Sequence, residues 1–105
     1  MAWLYLVLAG MCEVGWPIGL KLGWGPDGVR AGWVSFAVVF MAVSGFLLML
    51  AQRDIPMGTA YAVWTGIGAV GAFAVGAAAF GEPVSALRLV SIGLIVAGIV
   101  GLKVA

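Results

Sequence analysis

The sequence contains little charge and no histidine. Of its 105 residues, five are Lys or Arg, four are Asp or Glu, and 65% are hydrophobic. Average soluble domains carry about 25% charged and about 45–50% apolar residues, so this composition is typical of a protein that uses the bilayer as its solvent. Nucleic-acid binding requires clustered Lys and Arg, and the sequence has no such cluster. We therefore expect membrane lipid, and no nucleic acid, around the chain.

The sequence also lacks the usual groups of catalytic or metal-binding residues. Cys12 is the one cysteine, so no internal disulfide can form, and no Cys/His pattern has metal-ligand spacing. No nucleophile–base pair or phosphate-binding loop is found either. We therefore expect no enzyme activity, no metal and no cofactor.

Long apolar runs are what the sequence has in abundance. Clusters of charged, Pro and Gly residues divide it into four runs, at about 3–20, 31–51, 57–80 and 87–104. Each is close to the ~20 residues that a helix needs to cross ~30 Å of hydrocarbon. Only helices and closed barrels span bilayers, and these runs lack the alternating pattern of barrel strands. The sequence predicts an all-α membrane protein, with one domain of four transmembrane helices over 1–105.

The positive charges are divided almost evenly between the two sides of such a protein. Four spans would place Arg53 and Lys103 on one side, and Lys21, Arg30 and Arg88 on the other. Orientation in the membrane follows the Lys/Arg bias, which is nearly absent here. We expect dual topology, in which chains insert both ways and pair as an antiparallel homodimer.

A row of small residues in the fourth run is a candidate for the dimer contact. Gly93, Ala97 and Gly101 are four residues apart, and small residues at this spacing let helices approach closely in lipid. The alternative is that glycine is simply frequent in membrane helices. Four short helices also enclose little space for a polar cavity, which independently favours an oligomer.

Glu13 is the one charged residue well inside a predicted span. Charges at this depth are costly and usually functional. Desolvation disfavours the charged form of a carboxyl group, whereas a nearby cation favours it. Such a group can hold either a proton or a cation, as a proton-coupled carrier requires. The alternative is a protonated Glu13 that makes a structural hydrogen bond between helices.

The neighbours of Glu13 on the first helix support a cation site. Residues three and four positions away share its face: Gly10 leaves space, Trp16 offers a flat surface for a planar cation, and Pro17 removes one helical hydrogen bond. The missing bond could kink the helix and free the carbonyl of Glu13. Ordinary packing is the alternative for Trp16.

Polar and aromatic residues of the second and third runs could complete the site. Ser44 is one of the few polar residues of the second run, and Tyr61 and Trp64 share a face of the third. Each can donate a hydrogen bond, although each could also serve only in packing. Gly66 and Gly68 weaken the third helix locally, which favours either a hinge or the close approach of a neighbouring helix.

Three segments, 9–16, 56–72 and 98–103, make the sequence resemble the small multidrug resistance family of bacterial exporters, and within it the guanidinium exporters. The resemblance covers essentially the whole chain. It implies an antiparallel, dual-topology homodimer in the bacterial inner membrane that exchanges protons for a small organic cation. Carried over by position, Glu13 would bind proton or substrate. The remaining assignments are Trp16, Ser44, Tyr61 and Trp64 in the binding site, Gly10 beside the glutamate, Gly66 and Gly68 at a kink, and Gly93, Ala97 and Gly101 in the dimer contact.

Guanidinium export coupled to protons is the function that these observations favour, with small substituted guanidinium or hydrophobic cations as further substrates. Two alternatives stay open at this point. One is a broad-specificity exporter of quaternary ammonium and aromatic cations. The other is a membrane assembly subunit, or half of an obligate heterodimer, that transports nothing by itself.

Overall fold

Four long helices make up nearly all of the chain, which a computed structural model describes over residues 1–105. They are α1 (Ala2–Gly23), α2 (Ala31–Ala51), α3 (Met57–Ala79) and α4 (Ala86–Val104). By length and composition, all four can cross a membrane. The prediction of a four-span α-helical membrane protein is confirmed.

The helix ends differ from the predicted ones where charged or capping residues were interpreted as stops. The first helix continues past Lys21 to Gly23 instead of ending near residue 20. Lysine is a good helix former, and its long side chain can reach water from the last turn of a span. The fourth helix begins one residue early, at Ala86, because the Ser85 hydroxyl accepts a hydrogen bond from the backbone N–H of Arg88 at 3.2 Å.

The connection between α1 and α2 is a small β-hairpin, which the apolar pattern of the sequence does not predict. Strands β1 (Trp24–Gly25) and β2 (Gly28–Val29) pair antiparallel, with Trp24 opposite Val29. Gly28 has a φ of 107°, which non-glycine residues rarely adopt. The hairpin thus adds a two-stranded ribbon to an otherwise all-α fold.

The first helix is the centre of the packing. It lies along both α2 and α3, whereas α4 packs mainly against α3. Gly15 and Gly19 permit the close approach to α2, since a Cβ at these positions would lie 2.5 Å from the Phe40 ring and 2.9 Å from the Ala37 Cβ, respectively. Small residues at helix contacts are the usual means of association in lipid.

Most of the molecular surface is apolar. Only 15 of the 105 residues are buried, and the largest buried cluster consists of Leu6, Ala51, Ile55, Ala60 and Val63. Large side chains such as Phe46 and Leu94 face outward. In water this distribution would be unfavourable, but lipid accommodates it.

The fourth helix leaves its small-residue row uncovered. It contains no buried residue, and a Cβ added at Gly93 or Gly101 would meet nothing within 4 Å. Ala97, between them, is also exposed. The predicted dimer contact therefore lies on a free face of the chain and stays a prediction.

Candidate functional site

Glu13 lies near the middle of α1, facing α2 and α3. Its side chain crosses directly over Gly68 of α3, where a Cβ would lie only 2.6 Å from the Glu13 Cγ. Any larger residue at position 68 would need the space that the carboxyl side chain occupies. Gly68 therefore makes room for Glu13. This contact corresponds to the second of the two interpretations of this glycine, the close approach of a neighbouring helix, and not to a hinge.

One carboxylate oxygen of Glu13 is held by its own helix. The indole Nε1 of Trp16, one turn along α1, donates a hydrogen bond of 2.5 Å to Glu13 Oε1. The Ser44 hydroxyl of α2 is 3.4 Å from the same oxygen, near the upper limit for a hydrogen bond. Trp16 is thus the strongest partner of the carboxylate within the chain.

Ser44 links three helices beside this carboxylate. It is fully buried, and its Oγ lies 2.7 Å from the backbone carbonyl of Ala9 and accepts a 2.8 Å hydrogen bond from Trp64 Nε1. A hydroxyl carries one proton, so it donates mainly to the closer Ala9 carbonyl. Trp64 therefore reaches Glu13 only through Ser44, and does not contact the carboxylate directly.

Tyr61 lies at the edge of the group and is about half exposed. Its ring centroid is 5.4 Å from that of Trp64, with the planes tilted by 47°. Its hydroxyl makes no hydrogen bond within the single chain, where the donors to Glu13 are Trp16 and Ser44, and its place in the binding site stays a prediction. In the single chain Tyr61 instead supports the indole that binds Ser44.

The space predicted at Gly10 is filled. A Cβ there would lie 2.7 Å from the Cβ of Ile67 in α3, so Gly10 allows α1 and α3 to pack and opens no room beside the carboxylate. Gly66 has a similar role toward α4, where Ile99 lies 2.9 Å from the position of its missing Cβ. Helix α3 is continuous from Met57 to Ala79, through both Gly66 and Gly68.

Pro17 is contained within α1, which continues through it as a helix. With residues from α1, α3 and the following turn, it lines a cavity of about 110 Å³, located one to two turns beyond Glu13. The sequence pattern predicts a place for Pro17 beside the carboxylate, and it contains no signal of this cavity.

No positively charged side chain faces Glu13. The one salt bridge in the chain joins Lys21 and Glu82, at the end of the bundle. The second oxygen of Glu13, Oε2, accepts no hydrogen bond, yet no buried side-chain oxygen or nitrogen lacks a partner. Oε2 is therefore not fully enclosed by the chain, and its acceptor positions are free.

Four helices that can cross a membrane, with one such carboxyl group near the middle of α1, define a multi-pass membrane protein with a single acidic site within its spans. The family described as Small Multidrug Resistance protein matches residues 1–95, and the chain belongs to this family. A guanidinium exporter of Yersinia pestis is 51% identical over 105 residues, which cover all of this chain and 99% of that protein. A guanidinium exporter of Citrobacter freundii is 48% identical over 103 residues, or 98% of this chain and 96% of that protein. The chain is thus a multi-pass protein of the bacterial inner membrane.

Proposed function

We propose that this protein is a proton-coupled antiporter that exports guanidinium. The observation that carries the proposal is the state of Glu13, whose Oε1 is fixed by Trp16 while Oε2 is accessible and no cation of the chain neutralises the group. The full-length similarity to proteins named guanidinium exporters supports the choice of substrate.

Guanidinium fits this group by shape and by hydrogen bonding. It is planar and presents several N–H donors, which pair with carboxylates in a fork. The free Oε2 would accept one N–H, and Oε1 has a further acceptor position besides the Trp16 bond. The ring of Trp16 also lies beside the carboxylate, within reach of a planar cation.

The transport unit that we propose is an antiparallel homodimer, which brings two Glu13 carboxylates to one cavity. The nearly balanced Lys/Arg distribution and the uncovered Gly93, Ala97 and Gly101 row of α4 support it. At an open face, the ionised pair would bind the cation. The loaded dimer would then expose the site to the other face, where protons displace the cation, and the protonated form would return.

The test is transport by the purified chain in liposomes under a pH gradient. We expect guanidinium uptake that depends on the gradient and is lost in Glu13→Gln, because the amide can neither release a proton nor balance the cation. Binding should also weaken as the pH falls, because the proton and the cation compete for one group. Proton-coupled uptake by Glu13→Gln would refute the proposal.

The aromatic group of Trp16, Tyr61 and Trp64 favours one second candidate, a broad exporter of quaternary ammonium cations. Such ions bind aromatic faces without needing hydrogen-bond acceptors. Comparing the currents that guanidinium and a tetraalkylammonium ion evoke on a solid-supported membrane separates the two functions. Transport by the single purified chain would also exclude a mere assembly subunit.

A further inference from the structure

Lys21 and Glu82 form an ion pair at the end of the seam between α1 and α3. The Lys21 Nζ is 2.8 Å from Glu82 Oε2, and it also lies 5.3 Å from the centroid of the Phe80 ring. Lys21 is in the last turn of α1, whereas Glu82 follows the end of α3. The pair therefore joins the end of the helix that contains Glu13 to the end of the helix against which Glu13 packs.

The turn after α3 holds Glu82 in a defined position. Gly81 adopts a φ of 63°, and the backbone N–H of Glu82 then donates to the Gly76 carbonyl at 3.0 Å. The Glu82 carboxylate folds back over Gly76 and occupies the space that a Cβ there would need. Two glycines thus direct this side chain toward Lys21.

The packing around the pair is incomplete. The cavity of about 110 Å³ lies between α1 and α3 here, lined by Pro17, Lys21, Gly76 and Glu82 among others. The two charged side chains are 51% and 45% exposed, and exposed ion pairs contribute little to stability. This end of the seam is therefore closed by a contact that separates easily, and not by a filled apolar core.

The geometry of α1 allows this end to move independently of Glu13. Glu13, Pro17 and Lys21 are four residues apart on one face, and Lys21 is about 12 Å along the helix axis from Glu13. Because Pro17 has no N–H, the carbonyl of Glu13 lacks its helical partner, and prolines are common points of helix bending. A tilt of the last turns of α1 about Pro17 would leave Glu13 in place, and it would carry along the start of α2, against which Gly19 packs.

We propose that the Lys21–Glu82 pair is a reversible latch. It holds the end of α1 against α3 when Glu13 is closed to that face of the membrane, and it separates when that face opens. This inference rests on the proposed antiport function. In an antiparallel dimer the two copies lie at opposite faces, so one latch is closed while the other is open.

The first test is to bridge the pair covalently. The Cys12→Ser variant contains no cysteine. In this background, Lys21→Cys and Glu82→Cys are introduced and bridged by a reagent that reacts with two thiols and can be cleaved by a reductant. The reagent should span a distance similar to that of the ion pair. We expect guanidinium transport to fall at least tenfold and to recover when a reductant cleaves the bridge. The matched control bridges Val84→Cys, after the end of α3, and Leu87→Cys, in the first turn of α4, which are both exposed, and it should leave transport unchanged. If the bridged protein transports within twofold of the unbridged protein, the ion pair does not need to separate during transport, and the proposal is overturned.

The second test does not depend on transport, so it separates a failure of the latch from a failure of the proposed function. Spin labels at Leu20→Cys and Val84→Cys, both exposed, leave the ion pair intact. With labelled chains diluted in unlabelled ones, we expect two distances, and Glu82→Gln should deplete the shorter one. A single distance that Glu82→Gln does not alter would overturn the proposal. Absence of guanidinium transport by the unsubstituted protein would contradict the proposed function instead.

Discussion

Replacing Ser44 with alanine removes the one side chain that connects α1, α2 and α3 beside Glu13. The substitution deletes the bond to the Ala9 carbonyl and leaves the Trp64 Nε1 without its acceptor. Interhelical hydrogen bonds in membranes contribute about 0.6 kcal/mol on average, with a maximum of about 1.7 kcal/mol. An unsatisfied buried donor costs about 1–3 kcal/mol. We expect Ser44→Ala to lower the free energy of unfolding by about 1–3 kcal/mol, mostly because of the unpaired indole.

A double-mutant cycle with Trp64→Phe isolates the free-energy cost of the unpaired Trp64 indole. Trp64→Phe removes the donor and leaves Ser44 bonded to Ala9, so Ser44→Ala in this background should lose only the Ala9 bond, about 0.6 kcal/mol. The coupling between positions 44 and 64 should then be about 1 kcal/mol.

The measurement is reversible unfolding of each variant in mixed micelles by a denaturing detergent, followed by circular dichroism. Gly45→Ala is the matched control, because it adds a methyl group to the next residue of α2, where no atom lies within 4 Å. It should have little effect or stabilise slightly, since alanine is the better helix former. If the losses in free energy of unfolding of Ser44→Ala and Trp64→Phe add up to that of the double variant within about 0.3–0.5 kcal/mol, the proposed hydrogen-bond link is refuted.

Three further predictions concern the site and the orientation of the chain. Gly68→Ala should weaken guanidinium binding at least tenfold, since the new methyl would displace the Glu13 side chain, whereas Gly45→Ala, which meets nothing within 4 Å, should not; tryptophan fluorescence titration measures both. Trp16→Phe should weaken binding by about 10- to 150-fold, because hydrogen bonds to charged groups contribute about 1.5–3 kcal/mol and each 1.4 kcal/mol is a factor of about ten; isothermal titration calorimetry checks it. Several lysines added after Ala105 should force one orientation, seen by labelling from one side, and abolish transport when this variant is expressed alone; unchanged transport would contradict dual topology.

The four spans could be predicted because bilayer thickness sets the length of a span and the sequence is divided by charges at that interval. The ends were less predictable. Lys21 was interpreted as a stop, although the helix continues for two residues beyond it. The hairpin at Trp24–Val29 was missed because two-residue strands have no period that a sequence pattern can reveal.

The position of Glu13 could be predicted because one charge in an apolar run is costly wherever the helices pack. Trp16 followed from helical spacing alone. The hydrogen bonds of Ser44 and Trp64 could not be assigned, because they depend on how three helices are offset along their axes. The same is true of Gly10, which contacts Ile67 instead of opening space. Lys21 and Glu82, 61 residues apart, gave no local signal of their pairing.

The two oxygens of Glu13 have different surroundings, and this difference bears on how proton and cation would be coupled. Oε1 accepts the indole N–H of Trp16, which favours a lone pair over a proton on that oxygen. A proton would therefore bind to Oε2, the same atom that a guanidinium N–H would approach. A carboxyl group protonated on Oε2 presents an O–H donor there and has no charge to balance the cation. The proton and the cation would then exclude each other at a single atom, Oε2. The helices would not need to move until either ligand is bound.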